Sequence, residues 1–240
     1  MKNYLLIHGA WGGAWEFNEV VQHLSADGSN VKAIDLPGHG NNTLPVSEVT
    51  MASYVETVIE AINKMDGKVI LVGHSLAGAI ISQVAEAISE QIERLIYVAA
   101  ILPVTGDSPL ALMESDEDGE LLKNVIFSED MSIATLRNQD VRNLLLNDVT
   151  DKARLDSLVP HFLMEQSTEP FMAVSKLSDE KFGSVAKYYI RASIDKVLSP
   201  ALQERMLTNW NVEAVRTLES GHFPLTSMAE ALSDTIRELS

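Results

Sequence analysis

The sequence predicts an α/β fold in which a mostly parallel central sheet carries helices on both faces. Short apolar runs of strand length alternate with longer segments of helical spacing, and Gly, Pro and Asp mark the junctions between them. The alternation is interrupted once and then resumes. Strands that alternate with helices pair in parallel, which buries both faces of the sheet. We therefore expect one domain, with a core of residues 1–101 and 184–240 and a helical cap inserted at about 102–183.

Four strands and three helices are predicted before the interruption. The first apolar run ends at a His-Gly pair, and the second is stopped by a Pro-Gly-His-Gly turn at residues 37–40. The third run has the continuous apolar character of a strand that is buried on both faces. The predicted strands are Tyr4–Ile7, Val31–Asp35, Lys68–Val72 and Arg94–Ala100, and the predicted helices are Trp15–Leu24, Met51–Met65 and Leu76–Ile88.

The interrupting segment, from about Leu102 to Gly183, has helical and loop-like patterns and no convincing buried strand. It is acidic at first and more apolar later. Because it lies inside a single strand–helix alternation, we interpret it as a cap and not as a separate domain. The alternation resumes with strands at Tyr188–Arg191 and Glu213–Leu218 and with helices near Pro200–Thr208 and Leu225–Leu239.

Composition excludes several classes of function. The 240 residues are 46% hydrophobic, which is enough for one sizeable core. Eighteen Lys and Arg against 34 Asp and Glu give a net charge of −16, which argues against nucleic acid or an anionic membrane as a partner. The absence of Cys excludes disulfides and thiol nucleophiles. The first apolar run is too short for a signal peptide, and no stretch reaches the length of a membrane span, so we expect a cytoplasmic protein.

The clearest chemical signal is a serine between a buried strand and a helix. Ser75 follows the predicted strand Lys68–Val72 closely and directly precedes the helix that begins at Leu76. Such a strand–turn–helix junction is typical of a nucleophile elbow, in which small neighbours allow the serine a strained backbone. The pattern Gly-x-Ser-x-Gly is not met strictly, since its last position is Ala77 and Gly78 comes one residue later. Serine also caps helices, but the whole junction favours Ser75 as a nucleophile.

An activated serine needs a base, and the base needs an acid that orients it. His222 lies in a loop after the last predicted strand, and Asp195 lies in a loop after the strand Tyr188–Arg191. Loops that follow parallel strands gather at one edge of the sheet, so both can reach Ser75. A loop Asp or His is usually structural by itself. The chain order of nucleophile, acid and base is, however, that of the α/β-hydrolase fold, which makes the three together far more specific.

The other five histidines are less suited to the role of the base. His23 lies in an amphipathic helix and His39 in a turn, so we expect structural roles for both. His8 and His74 stand beside glycines at strand ends, where we expect them to brace loops. His161, in the cap, is a candidate for contact with a substrate.

A glycine-rich loop, His-Gly-Ala-Trp-Gly-Gly at residues 8–13, follows the first strand. Its backbone N–H groups can point at the negative oxygen that develops during attack on a carbonyl. In the α/β-hydrolase fold one donor is the residue after the nucleophile, here Leu76, and the other comes from this loop, here Ala10. The glycines also make a tight turn, and both roles are compatible.

The sequence offers no cofactor or metal site. The acidic run that starts at Glu114 lacks the bidentate Glu of a calcium loop, because the twelfth position is Val125. The phosphate-loop pattern, the dinucleotide pattern Gly-x-Gly-x-x-Gly and the zinc pattern His-Glu-x-x-His are all absent from the sequence. We therefore expect neither a cofactor nor a metal.

At these residues the chain resembles the methylesterase and hydroxynitrile lyase family of α/β-hydrolases, which includes salicylate methylesterase-like proteins and bacterial esterases. The resemblance spans essentially the whole chain and is carried by the segments Leu6–Trp15, Ala33–Gly40, Val72–Gly78, Tyr189–Lys196 and Gly221–His222. It implies an α/β-hydrolase fold with a cap over the pocket. It also implies a catalytic triad and an oxyanion hole at the positions inferred above: Ser75, Asp195 and His222, with Ala10 and Leu76.

Two positions separate the chemistries of this family. Its hydroxynitrile lyases carry Thr or Asn where this chain has Gly9, and the Thr-containing ones have a Lys where it has Phe223. The Lys cation would stand near the departing cyanide, and Phe cannot replace it. The resemblance therefore favours an esterase. Gly12, where plant members have His, is a departure that affects the pocket and not the triad.

We therefore expect a serine carboxylesterase that cleaves small to medium apolar esters through an acyl-enzyme and is poorly active in acid. The candidate pocket residues are Gly9, Trp11, Phe162, Leu163 and Phe223. Two alternatives stay open: a hydroxynitrile lyase or carbon–carbon hydrolase with the same triad, and a receptor for small ligands with little turnover. The expected partner is a small-molecule ester, and a homodimer is left open.

Overall fold

The computed structural model describes residues 2–240, and Met1, at which the predicted core begins, lies outside the described residues. In chain order the strands are β1 (Asn3–Ile7), β2 (Asn30–Ile34), β3 (Val69–His74), β4 (Ile92–Val98), β5 (Ile126–Phe127), β6 (Ile133–Thr135), β7 (Gln166–Ser167), β8 (Ala186–Ala192) and β9 (Ala214–Leu218). Six of them form the main sheet in the order β2-β1-β3-β4-β8-β9, and every neighbouring pair is parallel. The predicted α/β class with a parallel sheet is confirmed.

The helices are α1 (Asn18–Ser25), α2 (Met51–Ile62), α3 (Ala77–Ile88), α4 (Pro109–Glu114), α5 (Asn138–Asp140), α6 (Lys152–Leu158), α7 (Glu169–Met172), α8 (Pro200–Leu207), α9 (Pro224–Ser227) and α10 (Ala229–Glu238). α2 begins at a capping box, in which the Thr50 side chain accepts from the Ser53 N–H and the Ser53 hydroxyl accepts from the Thr50 N–H. α1 packs on α10, and α2 packs on α3. Within residues 2–240, none of the helices combines the length and the apolar character that a membrane crossing needs.

The predicted terminal helix Leu225–Leu239 is divided in the structure. α9 ends at a break at Met228, whose φ is −140° and ψ is 40°, and α10 follows. The hydroxyls of Thr226 and Ser227 donate to the Phe223 carbonyl at 3.0 and 3.2 Å. Such short-range bonds from side chains to the backbone compete with regular helix continuation, and hydrophobic spacing does not register them.

The parallel sheet places the loops that carry the predicted site residues at one edge. β3 lies between β1 and β4, and all its residues are buried. Ser75 follows β3 directly, and the glycine-rich loop follows β1. Asp195 and His222 lie in the loops after β8 and β9. Because carboxyl ends of parallel strands meet at the same edge, residues far apart in the chain converge there.

The segment between β4 and β8 corresponds to the helical and loop-like cap predicted at about 102–183, and it also contains three short strands. It contains α4 to α7, a π-helical turn at Val141–Leu145, and a small antiparallel sheet in the order β5-β6-β7. These strands have two or three residues each. A strand that short contains too few positions for an alternating pattern to be recognised, so these three strands were not predicted.

Candidate active site

Ser75 occupies a strained position at the junction of β3 and α3. Its φ of +56° lies in the left-handed region, which costs a non-glycine residue about 1–3 kcal/mol and persists only where the surroundings enforce it. Here the Ser75 carbonyl accepts from the N–H groups of Gly78 (3.1 Å) and Ile101 (3.0 Å), and its own N–H donates to the Val98 carbonyl at 3.3 Å. The backbone of the predicted nucleophile is therefore held by the first turn of α3, by the end of β4 and by the loop after β4.

Two glycines allow the close packing around this junction. A Cβ at Gly9 would lie 2.8 Å from the Ser75 Cβ, and a Cβ at Gly78 would lie 2.0 Å from the Ile101 carbonyl oxygen. The second position explains the shifted sequence pattern. The position at which the α3 backbone meets the neighbouring loop is Gly78, so Ala77 is tolerated one residue earlier.

The three residues predicted as nucleophile, base and acid are joined by hydrogen bonds. His222 Nε2 lies 2.8 Å from Ser75 Oγ, and His222 Nδ1 lies 2.8 Å from Asp195 Oδ2. Since a carboxylate can only accept, Nδ1 carries the proton and Nε2 is left to accept from the Ser75 hydroxyl. Asp195 and His222 are buried, which shields the pair from water.

Asp195 is fixed by donors that the sequence does not reveal. Its Oδ1 accepts from the backbone N–H groups of Val197 (2.7 Å) and Leu198 (3.1 Å). Its Oδ2 accepts from the Gln203 side chain at 3.3 Å as well as from His222. Gln203 is fully buried on α8, and a polar residue on the buried face of a predicted helix is the only sequence signal for it.

The loop of His222 is braced from the core and from the cap. His74 Nε2 donates to the His222 carbonyl at 2.8 Å, and burial lowers the pKa of His74 well below its usual value. From the cap, the Asp148 carboxylate accepts from the Gly221 N–H at 2.8 Å. The neighbouring Asn147 amide donates to the Ile194 carbonyl at 3.0 Å, one residue before Asp195. These cap residues were not predicted.

Ala10 and Leu76 lie beside Ser75 in the wall of one cavity. Within residues 2–240 neither backbone N–H donates a hydrogen bond to the protein. Leu76 stands at the start of α3, where the helix dipole favours negative charge. Both groups are therefore available to a carbonyl oxygen of a molecule bound at Ser75.

The cavity at Ser75 is predominantly apolar. A second, partly open chamber adjoins it and is lined mostly by cap residues, and four residues line both spaces: Trp11, Met113, Leu121 and Phe171. Its walls are also predominantly apolar, with Glu114 and Thr168 as the polar exceptions. Within residues 2–240, no group of three or more His, Asp or Glu side chains is placed to hold a metal ion.

The predicted pocket residues separate into two groups. Trp11 and Phe223 line the cavity, and Gly9 lies against Ser75. Phe162 does not line either space within the described chain: it is buried edge-on against Phe223, with ring centroids 4.9 Å apart. Leu163 is 44% exposed and does not line them either. These two assignments are corrected, because Phe162 packs against Phe223 in the core and Leu163 faces solvent.

Two of the remaining histidines, His8 and His39, brace loops. His8 Nδ1 donates to the Gly9 carbonyl at 2.7 Å while its Nε2 accepts from the Leu36 N–H at 3.0 Å, and burial lowers the pKa of His8 to about 3. His39 Nδ1 donates to the Gly12 carbonyl at 2.9 Å. The His161 ring lies against Trp15, with centroids 5.0 Å apart and ring planes tilted by 37°, and lines neither the Ser75 cavity nor the second chamber within residues 2–240.

Comparison with known proteins identifies the family of the chain. Residues 4–235 match the model of the alpha/beta hydrolase family. The chain belongs to this family. A relative named putative methylesterase 11, chloroplastic, of Arabidopsis thaliana is 30% identical over 99% of this chain, which spans 64% of that relative's length.

Two further comparisons cover nearly the whole of both chains. An alpha-hydroxynitrile lyase of Arabidopsis thaliana is 27% identical over 98% of this chain and 95% of its own length. The crystal structure of a pyrethroid hydrolase from Sphingobium faniae superposes with a TM-score of 0.88 at 28% identity, and it covers 99% of this chain and 96% of its own. The α/β-hydrolase fold predicted from the sequence is therefore confirmed.

Proposed function

We propose that this protein is a serine carboxylesterase that hydrolyses small to medium, largely apolar carboxylic esters. The observation that carries the proposal is the continuous chain of hydrogen bonds from Asp195 through His222 to Ser75. This chain ends at the wall of an apolar cavity, beside the available N–H groups of Ala10 and Leu76. The methylesterase and pyrethroid hydrolase relatives support ester hydrolysis as the reaction class.

In the first step Ser75 Oγ attacks the ester carbonyl carbon while His222 Nε2 takes the hydroxyl proton. Asp195 stabilises the imidazolium that results. The carbonyl oxygen becomes an oxyanion and accepts from the N–H groups of Ala10 and Leu76, each worth about 2.7–4 kcal/mol of transition-state stabilisation. When the carbon–oxygen bond to the alcohol breaks, His222 returns the proton to that alcohol, which leaves an acyl group on Ser75.

In the second step a water molecule replaces the alcohol. His222 Nε2 takes one proton from this water as its oxygen attacks the acyl carbon. The tetrahedral adduct then collapses, the bond to Ser75 Oγ breaks, and His222 returns the proton to the serine. The free acid is released and the starting state of the three side chains is restored.

The cavities favour apolar esters. The Ser75 cavity meets the second chamber at Trp11, Met113, Leu121 and Phe171, so a substrate could place its carbonyl at Ser75 and an apolar group beyond these side chains. The lining of the Ser75 cavity includes no Lys or Arg within the described chain. A substrate with a free carboxylate next to the ester would therefore find no countercharge there.

Ester hydrolysis can be measured with p-nitrophenyl acetate, butyrate and octanoate, for the wild type and Ser75→Ala in parallel. We expect turnover by the wild type, loss of at least 10³-fold in Ser75→Ala, and an unchanged melting temperature. Equal turnover by both proteins would refute the role of Ser75. The dependence on acyl length measures how much of the second chamber is used.

A lyase reaction is the second candidate, because one relative is an alpha-hydroxynitrile lyase. Two features of the site disfavour it. Phe223 takes the position after His222, where the Thr-containing lyases of the family have Lys. A side chain at Gly9 would begin 2.8 Å from the Ser75 Cβ, so the Thr of those lyases would not fit without a shift. Release of cyanide from mandelonitrile at a rate above that of ester hydrolysis would reverse this preference.

A further inference from the structure

A buried glutamine of the cap is bonded to the loop that contains Ala10. Gln166, on β7, is fully buried, and its Oε1 accepts from the Trp11 N–H at 3.1 Å. The Trp11 indole N–H donates to the Ala134 carbonyl on β6 at 3.1 Å. The short cap sheet therefore bonds both the backbone and the side chain of the residue that follows Ala10.

Trp11 requires such support because its backbone is strained. Its φ is +55°, in the left-handed region that a bulky residue rarely adopts. Strained backbones persist only where neighbouring groups hold them. In the described chain the Trp11 N–H has Gln166 as its acceptor, so this bond acts directly on the strained residue.

The amide nitrogen of Gln166 is linked to the same loop by hydrogen bonds through two further side chains. Gln166 Nε2 donates to the Tyr54 hydroxyl at 3.2 Å, and this hydroxyl lies 3.0 Å from His39 Nε2. His39 Nδ1 donates to the Gly12 carbonyl, so Nε2 accepts and the Tyr54 hydroxyl donates to it. The bonds thus form a closed circuit from Trp11 through Gln166, Tyr54 and His39 back to Gly12.

We propose that Gln166 is a positioning residue for the ester hydrolysis proposed above, on which this inference rests. It holds Trp11 in the left-handed conformation and thereby keeps the Ala10 N–H directed at the oxyanion. Gln166 touches no reacting atom. Its role makes full activity depend on the docking of β7 against the glycine-rich loop, so the cap contributes to the reaction as well as to the pocket.

The variant Gln166→Met tests this role, because Met fills a similar volume but neither accepts from Trp11 nor donates to Tyr54. With p-nitrophenyl butyrate we expect kcat to fall about 10- to 100-fold, less than or equal to the loss of a whole oxyanion donor, and KM to change less than threefold. Ser167→Ala is the matched control. Ser167 is the next residue on β7 and bonds the Val49 carbonyl instead, so its kcat should stay within twofold of the wild type.

A second readout separates positioning from a general loss of stability. An alkyl trifluoromethyl ketone forms a tetrahedral adduct with an oxyanion on Ser75, whereas the matching methyl ketone binds chiefly without one. Gln166→Met should bind the trifluoromethyl ketone more weakly, by the same factor by which its kcat/KM falls. Its affinity for the methyl ketone should fall by less than threefold. Tyr54→Phe, which breaks the circuit one bond further away, should show a smaller loss of the same kind and serves if Gln166→Met does not fold.

The proposal is overturned if kcat of Gln166→Met stays within twofold of the wild type. It is also overturned if Gln166→Met loses kcat but keeps its affinity for the trifluoromethyl ketone. Where Gln166→Met does not fold, a wild-type kcat in Tyr54→Phe overturns it. If the wild type hydrolyses esters through Ser75 in these cases, the proposed function stands and only the role of Gln166 is refuted. If the wild type shows no hydrolysis that depends on Ser75, the proposed function itself fails, and this role fails with it.

Discussion

Asp195 shows how much a single side chain depends on groups around it. One of its oxygens faces two backbone N–H donors, and the other faces His222 and Gln203. This arrangement leaves one orientation of the carboxylate and one tautomer of the imidazole. The proposed chemistry is therefore very sensitive to the substitution of single residues, because an isosteric change can reverse a hydrogen bond without changing the packing.

Asp195→Asn should lower kcat about 10³- to 10⁴-fold, the order found for the same change in serine protease triads. The Asn NH₂ group cannot face the N–H groups of Val197 and Leu198, so it must face His222. There it donates to Nδ1, which moves the imidazole proton to Nε2 and prevents that atom from accepting from Ser75. Steady-state hydrolysis of p-nitrophenyl butyrate measures the loss. The exposed Asp118→Asn serves as the control, and near-wild-type turnover by Asp195→Asn would refute the role of the acid.

At the scale of elements, the sequence predicts the long helices and strands well and the very short strands poorly. β3 is a continuous apolar run and α3 follows it, so the position of Ser75 at their junction could be predicted. β7 has only two residues and gives no pattern. The bond between Trp11 and Gln166 joins residues 155 positions apart and depends on how the cap docks. Local periodicity carries no information about such a contact.

Gly78→Ala tests the close approach of α3 to the loop after β4. An unobstructed change from Gly to Ala inside a helix stabilises it by about 1 kcal/mol. Here the added Cβ would lie 2.0 Å from the Ile101 carbonyl oxygen, so we expect the free energy of unfolding to fall by about 1–3 kcal/mol instead. Urea denaturation gives the sign directly. A variant more stable than the wild type would contradict the packing described for this junction.

At the scale of the whole molecule, the fold tolerates ionisable groups in its interior. Glu16 is buried with a fully inaccessible side chain, and within residues 2–240 neither carboxyl oxygen makes a hydrogen bond. Its Oε2 lies 3.8 Å from His74 Nδ1. Burial raises the pKa of Glu16 well above its usual value, so the folded protein holds a proton here that the unfolded chain releases. Hydrophobic patterning could not predict this, since an acidic residue in the first turn of a helix is ordinarily exposed and favoured there by the helix dipole.

This proton makes stability depend on pH. Above the usual pKa of Glu, the unfolded chain binds fewer protons than the folded one, so the wild type loses stability as pH rises toward the folded pKa of Glu16. Glu16→Gln removes the ionisation from both states. Its melting temperature minus that of the wild type should therefore increase as the pH rises above the usual pKa of Glu toward the folded pKa of Glu16. The exposed Glu60→Gln is the control, and a difference that is constant with pH would contradict the assignment.

The identity of the nucleophile is the central claim, and covalent labelling tests it most directly. The wild type and Ser75→Ala are treated with an alkyl fluorophosphonate, and the modified peptide is located by mass spectrometry while residual ester hydrolysis is followed. We expect one adduct per chain on Ser75, and the amount of adduct should rise in proportion to the loss of ester hydrolysis. Ser75→Ala should form no adduct in the time that labels the wild type. An adduct on another residue, or full ester hydrolysis with Ser75 modified, would contradict the account.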